Sequence, residues 1–256
     1  MGFTNESQGV LGMIEKIIYA DQWEVSSKYF HENDCYKWMA DQIGKYKTVL
    51  EIGCGTGYST LELLRHGHKV ISIDKNEYCI ERAKQKIESQ GFLIGDISNN
   101  DVTFIIADIV DENFSRIISD YDFDVVICWN IGTHEEGKTR NYYKPHLLKY
   151  GLTEQQVKEN WESSYAELIL WIACKTAANR KVPFHLIDRS MEGLNSENSD
   201  YYCELGGEGK YKTMKVDQII TSTVSNGGRA LKVHDKKIKE NIVQTFLISI
   251  MYFDFQ

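Results

Sequence analysis

Short apolar runs alternate with helix-like stretches from about residue 45 to residue 188. Five runs have the length and aliphatic content of buried strands, at 48–52, 70–74, 102–107, 124–129 and 182–187. The segments between them predict helices at 59–66, from Asn76 onward, at 113–119 and from Thr153 to about Ala178. Strands separated by helices predict a parallel, doubly wound α/β sheet.

The last quarter of the chain has a different pattern. Residues 214–224 are rich in β-branched side chains, and residues 245–255 form a long apolar and aromatic run. The intervening Ser-Asn-Gly-Gly at 225–228 is typical of a turn. Two strand-like runs without a long helix between them predict an antiparallel pair, which would complete a mostly parallel sheet of seven strands.

The segment that precedes the first strand is dense in aromatic residues. Six lie within residues 9–44, namely Tyr19, Trp23, Tyr29, Phe30, Tyr36 and Trp38. The pattern at 33–43 predicts a helix that stops at Gly44. We therefore expect one domain with a helical cap at 1–44 and an α/β core at 45–256. The cap either packs on the sheet or covers a ligand, since aromatic faces suit a planar base or an organic cation.

Composition and charge narrow the classes of function. The 256 residues are 42 % hydrophobic and 26 % charged, which is ordinary for a globular protein. The net charge of −8 argues against broad binding of nucleic acid. No apolar run approaches the roughly 20 residues of a membrane helix, and residues 1–8 do not resemble a secretory signal. Six scattered cysteines without a Cys-x-x-Cys pair favour a reducing cytoplasm and no zinc site.

A glycine-rich loop follows the first predicted strand. Residues 49–58 read Val-Leu-Glu-Ile-Gly-Cys-Gly-Thr-Gly-Tyr, so an apolar strand runs into three glycines and then a helix. Glycines let a ligand approach the main chain closely, and the helix start offers free N–H groups. A dinucleotide fingerprint would need glycine at position 58, where this chain has Tyr58. That departure argues against a nicotinamide-dependent oxidoreductase.

The Gly-x-Gly-x-Gly form with a preceding acid resembles the first motif of the class I S-adenosylmethionine-dependent methyltransferases. Asp74 ends the second strand 21 residues after Gly53, and Asp108 ends the third. The resemblance implies a Rossmann-like fold, with Asp74 on the ribose hydroxyls and Asp108 on the adenine amino group. It implies S-adenosylmethionine as cofactor and S-adenosylhomocysteine as product, contacted by Glu51, Gly53, Cys54, Gly55, Gly57, Asp74, Lys75, Asp108, Ile109 and Asn130. Glu51 is also open to a role in orienting the loop only.

Residues that would act on the acceptor are less clearly marked. Asn130 begins the sequence Asn-Ile-Gly-Thr, which departs from the Asn/Asp-Pro-Pro-Tyr motif used on exocyclic base amines and glutamine. Asn130 is expected to contact the methionine moiety or the acceptor, and His134 is a candidate general base or an exposed loop histidine. His185 is expected in the core or at its rim, and His146 in a surface loop.

Two aromatic-rich loops, at 139–150 and 189–211, follow predicted strands on the side where α/β sheets bind ligands. They suggest a compact, partly apolar small-molecule acceptor, methylated at oxygen or nitrogen, although ordinary loop packing explains them equally well. A protein or peptide acceptor and a non-catalytic binding module stay open as alternatives. The sequence leaves the oligomeric state undetermined.

Overall fold

The computed structural model describes residues 5–129, 140–149, 151–159, 161–224, 232–233, 236–237 and 242–255. Nine strands lie within these residues: β1 (Thr48–Ile52), β2 (Lys69–Asp74), β3 (Val102–Ile106), β4 (Val125–Trp129), β5 (Phe184–Ser190), β6 (Tyr211–Val224), β7 (Lys232–Val233), β8 (Lys236–Lys237) and β9 (Ile242–Phe255). The short strands β7 and β8 pair only with each other.

The other seven strands form one sheet in the order β3-β2-β1-β4-β5-β9-β6. The pairs from β3 to β5 are parallel, and β9 is antiparallel to both β5 and β6. The predicted seven-stranded sheet with an antiparallel C-terminal pair is therefore confirmed. The predicted turn at 225–228 lies outside the described residues.

The described helices are α1 (Asn5–Glu32), α2 (Cys35–Asp41), α3 (Tyr58–Arg65), α4 (Glu77–Ser89), α5 (Phe114–Ile117), α6 (Arg140–Lys149), α7 (Glu154–Glu159), α8 (Trp161–Arg180) and α9 (Asp200–Glu208). The predicted capping box forms, because Gln156 N donates to Thr153 Oγ1 at 3.2 Å and Thr153 N donates to Gln156 Oε1 at 2.8 Å. It opens α7, and α7 and α8 together cover the long helix predicted from Thr153 to about Ala178, apart from residue 160, which lies outside the described residues. The sequence reasoning missed α6 and α9.

The N-terminal cap is mostly helical, but its predicted helix at 33–43 was wrong at its start. The 28-residue α1 ends at Glu32, and α2 begins at Cys35. Between them Asp34 has a left-handed φ of 56°, which a continuing α-helix does not allow. Phe30 near the end of α1 is completely buried, so this part of the cap packs on the sheet.

The hydrophobic core lies on both faces of the sheet because neighbouring residues of a strand point to opposite sides. Leu50 and Phe184 pack with α5, α6, α8 and α9 on one face, and Val49 and Ile127 pack with α1 to α4 on the other. This double coverage explains why the parallel strands are almost continuously apolar. Within the described ranges, no helix has the length and hydropathy needed to cross a membrane.

Candidate functional site

The glycine loop turns the chain sharply from the end of β1 into α3. Gly53, Gly55 and Gly57 have φ values of 79°, 53° and 85°, in the left-handed region that side chains disfavour. A Cβ on Gly57 would also overlap Ala83 on α4. The loop therefore packs against α4 at a distance that only glycine allows.

Asp74, at the end of β2, holds this loop in place. One carboxylate oxygen accepts the Gly55 N–H at 2.9 Å, and the other accepts the Asn76 N–H at 2.8 Å. Burial raises the pKa of Asp74, and the two backbone donors oppose that rise. Each carboxylate oxygen can accept further hydrogen bonds, so Asp74 can hold the loop and a ligand together.

Asp108 follows β3, and its carboxylate accepts two hydrogen bonds from described residues. It accepts the Val110 N–H at 3.0 Å and a short hydrogen bond from the Tyr143 hydroxyl on α6. Tyr143 belongs to the loop that was predicted to shape an acceptor pocket. The structure places it beside Asp108, a contact that local sequence patterns do not reveal.

A cavity of about 440 Å³ crosses the C-terminal ends of β1, β2 and β3. Five of the predicted site residues line it, namely Gly53, Asp74, Lys75, Asp108 and Ile109. Four others are not among its lining residues, namely Glu51, Cys54, Gly55 and Gly57. Asn130 and His134 lie outside the described residues.

Glu51 is buried beneath the glycine loop. Its carboxylate accepts hydrogen bonds from the hydroxyls of Ser59, Thr60 at 2.6 Å and Ser72 at 2.5 Å. Burial raises the pKa of Glu51, and these hydroxyls oppose the rise. The carboxylate thus joins β1, β2 and the start of α3, and it supports the loop from below.

Lys75 and two tyrosines form one wall of the cavity. Lys75 Nζ donates to the Tyr165 hydroxyl at 2.7 Å and lies 4.4 Å from the centre of that ring. The rings of Tyr143 and Tyr165 are 4.6 Å apart. Ile106 and Ile117 also line the cavity, although 57 % and 36 % of their surfaces are exposed. A ligand in the cavity would cover this apolar surface.

Helix α1 forms the opposite wall. Lys16, Tyr19 and Trp23 line the cavity at helical spacing, so one face of α1 points into it. The sequence left open whether the aromatic cap packs or covers. The structure divides these roles, because Tyr19 and Trp23 face the cavity while Phe30 lies in the core.

Polar contacts fasten α1 to α4 along this wall. Ion pairs join Lys16 to Glu77 at 3.0 Å, Asp21 to Arg82 at 2.6 Å and Glu24 to Lys86 at 3.1 Å. Asn76, which precedes α4, donates through Nδ2 to the main-chain oxygen of Lys16 at 2.9 Å. Partly exposed ion pairs are individually weak, so each of these contacts contributes little to the attachment of α1 by itself.

His185 is a core residue. Trp129 Nε1 donates to His185 Nδ1 at 2.9 Å, and His185 Nε2 is 2.8 Å from Ser249 Oγ. Burial lowers the pKa of His185 to about 3, so the ring is neutral at physiological pH. The expectation of a core position is confirmed. His146 was predicted in a surface loop, but it is half-buried within α6.

The second aromatic-rich segment lies away from this cavity. Tyr202 donates to Asp188 Oδ2 at 2.6 Å, and Tyr201 borders a separate cavity of about 300 Å³ that shares no lining residue with the first.

In the part of the chain that the structure describes, no group of three or more His, Cys, Asp or Glu side chains is placed to hold a metal ion.

Residues 49–144 match the family model described as a methyltransferase domain. Over 55 residues the chain is 36 % identical to the malonyl-[acyl-carrier protein] O-methyltransferase of Hamiltonella defensa, a stretch that covers 22 % of this chain and 21 % of that protein. The chain thus matches about a fifth of the length of this curated relative.

Solved structures with a partly similar course of the chain include two methyltransferases. One is a SAM-dependent methyltransferase from Agrobacterium tumefaciens, with 13 % identity, a TM-score of 0.49 and coverage of 87 % of this chain and 62 % of that one. Another is the magnesium protoporphyrin IX methyltransferase of Synechocystis PCC 6803 with bound SAM, with 12 % identity, a TM-score of 0.44 and coverage of 98 % and 86 %.

Proposed function

We propose, from the match of residues 49–144 to a methyltransferase domain, that this chain is a class I S-adenosylmethionine-dependent methyltransferase, which transfers a methyl group from S-adenosylmethionine to a small molecule, at oxygen or nitrogen. One observation carries the proposal. A single cavity joins Gly53, Asp74 and Asp108, which follow three neighbouring strands of the sheet. These are three of the positions to which the family resemblance assigns donor binding.

The residues of the cavity fit the chemistry of this donor. Asp74 offers carboxylate oxygens to the ribose hydroxyls, and Asp108 offers one to the adenine amino group. Ile109 and the exposed faces of Ile106 and Ile117 suit the adenine ring. The cavity volume of about 440 Å³ lies within the usual range for small-molecule sites, roughly 300–1,000 Å³.

The protein's part in the reaction is alignment and exclusion of water. Bound S-adenosylmethionine supplies an already activated methyl group, so no protein nucleophile is needed. Gly53, Gly55 and Gly57 shape the loop beside the donor, and Glu51 supports that loop from within. We propose that Asn130 contacts the methionine moiety or the acceptor. His134 would remove a proton from a hydroxyl or ammonium acceptor.

A small acceptor is favoured by the absence of the Asn/Asp-Pro-Pro-Tyr motif at Asn130. The name of the Hamiltonella relative makes carboxylate oxygens the first acceptors to test. A protein or peptide acceptor and a non-catalytic donor-binding module are the alternative functions.

Two further expectations stay predictions. One is the organisation as a single domain, with a cap at 1–44 and a core at 45–256, and the other is a cytoplasmic location.

The test is release of S-adenosylhomocysteine from S-adenosylmethionine in the presence of a panel of carboxylic acids, phenols and amines. We expect turnover with at least one class of small acceptor and unchanged rates in a metal chelator. Turnover that requires a protein substrate would contradict the small-molecule assignment. Donor binding without turnover on any acceptor would favour the binding module.

A further inference from the structure

Trp23 of α1 is buried against the glycine loop. Only 4 % of its surface is exposed, and it lines the cavity. The edge of the indole that carries Nε1 and Cδ1 faces Gly55 so closely that a Cβ on Gly55 would overlap both atoms. An indole N–H group therefore lies beside the glycine loop at the edge of the cavity.

This N–H group has no hydrogen-bond acceptor among the described residues. Nε1 keeps some accessible surface, since it is not among the buried side-chain atoms that lack a partner. Indole nitrogen can only donate, and a donor that opens onto a ligand cavity can bind an acceptor of the ligand.

The order of the strands indicates which part of the ligand lies there. Asp108 follows β3, Asp74 ends β2 and Gly53 follows β1, and these strands are neighbours in that order. With the adenine at Asp108 and the ribose at Asp74, the next part of the donor reaches the glycine loop. That part is the amino-acid end, which carries a carboxylate.

The main-chain amides of the loop are already occupied at four positions. Gly55 N donates to Asp74, Gly53 N and Cys54 N donate to the main-chain oxygen of Ile73, and Gly57 N donates to that of Cys54. A carboxylate beside Gly55 therefore needs donors from outside these four amides. The ammonium of Lys16, also on the α1 wall, is paired with Glu77.

We propose that the indole N–H of Trp23 forms a hydrogen bond with the carboxylate of the bound methyl donor, beside Gly55. Trp23 would thereby favour ligands that carry the amino-acid end. This role rests on the proposed function, since it assumes a donor with an adenosine part and an amino-acid part. This role makes α1 a part of the binding site. It also predicts that Trp23 contributes to the affinity of ligands with the carboxylate and not to the affinity of ligands without it.

The test compares two ligands on two variants. S-adenosylhomocysteine has the amino-acid end, and 5′-methylthioadenosine lacks it. Trp23→Phe keeps an aromatic ring but removes the N–H group. We expect Trp23→Phe to weaken S-adenosylhomocysteine binding by about 10- to 100-fold, the range for a hydrogen bond to a charged group. Binding of 5′-methylthioadenosine should change by less than about threefold.

Trp38→Phe is the matched control, because Trp38 lies on α2 and does not line the cavity. It should leave both affinities unchanged. An equal loss for both ligands in Trp23→Phe would show that Trp23 acts only through packing, and no loss would remove it from the site. If the unaltered chain binds neither ligand, the proposed function fails, and this role of Trp23 fails with it.

A second measurement needs no variant at position 23. In the unaltered chain labelled with ¹⁵N, one indole N–H resonance should shift markedly on addition of S-adenosylhomocysteine and stay in place with 5′-methylthioadenosine. Identical indole spectra with the two ligands would overturn the proposal, even if Trp23→Phe fails to fold.

Discussion

Asp74 joins two functions in one carboxylate, because it accepts the Gly55 and Asn76 N–H groups and also faces the cavity. We predict that Asp74→Ala weakens S-adenosylhomocysteine binding by about 1–3 kcal/mol, since it removes charge-assisted acceptors from both the loop and the ribose. Asp74→Asn should lose less, because its amide oxygen still accepts. Calorimetric affinities would then rank wild type, Asn and Ala in that order. Three indistinguishable affinities would exclude Asp74 from donor binding.

Gly55 and Gly67 provide a matched pair of residues. Both have left-handed φ values, 53° and 84°, but only a Cβ on Gly55 would meet another group, the indole of Trp23. We predict that alanine at either position lowers stability by about 1 kcal/mol or more through backbone strain. Only Gly55→Ala should also weaken S-adenosylhomocysteine binding, because Trp23 must move. Equal affinities in the two variants would show that the contact between Trp23 and Gly55 is irrelevant to the ligand.

His185 gives the fold a defined dependence on pH. Its folded-state pKa of about 3 lies below the ordinary value of 6.5, so the unfolded chain binds a proton that the folded chain does not. The stability associated with the neutral ring is complete above pH 6.5 and falls as the pH drops toward 3. The expected loss is about 1.4 kcal/mol per pH unit below 6.5.

Urea unfolding at pH 7.5 and pH 5.0 measures this effect. His185→Gln keeps an acceptor for Trp129 and a donor for Ser249 but cannot titrate. The wild type should therefore lose more stability than the variant between the two pH values. A variant with the same loss as the wild type would assign the acid sensitivity to other groups.

At the scale of elements, the sequence left the role of α1 open. Its aromatic residues were visible, but packing and ligand cover both use aromatic side chains, so the pattern could not separate them. The break at Asp34 depends on a left-handed backbone angle that no local signal marked. In the structure, α1 has both roles, because Trp23 lines the cavity and Phe30 packs in the core.

Deletion of residues 1–24 tests the role of α1 while retaining Phe30. We predict a folded sheet with strongly reduced S-adenosylhomocysteine affinity, because Lys16, Tyr19 and Trp23 are lost from the cavity. Deletion of residues 1–12 stops before these three residues and serves as the control, with affinity near that of the full chain. In the full chain, bound ligand should also slow proteolysis within α1. Full affinity after deletion of 1–24 would remove α1 from the site.

Helices α6 and α9 show why some elements escaped the sequence analysis. Pro145 lies inside α6, and Gly206 and Gly207 lie inside α9, so local propensity opposes both helices. Packing overrides it, because Tyr143 of α6 is buried and Gly206 lies directly against the ring of Tyr252 on β9. Contacts of this kind join residues far apart in the chain, and hydrophobic periodicity does not report them.

At the scale of the whole molecule, the parallel strands were predictable because a sheet covered on both faces requires short, almost wholly apolar runs. Gly53, Asp74 and Asp108 were predictable because each lies at or just after the end of such a run. The walls of the cavity were not, since Trp23, Tyr143 and Tyr165 come from three helices that converge only in the folded chain.

Titration of the unaltered chain with S-adenosylhomocysteine tests the assignment of this cavity most directly. We predict saturable binding of one molecule per chain, with the same affinity in the presence and absence of a metal chelator. A nicotinamide dinucleotide should neither bind nor compete. Absence of S-adenosylhomocysteine binding, or its displacement by the dinucleotide, would contradict the methyl-donor site, and loss of binding in chelator would contradict its independence from metal.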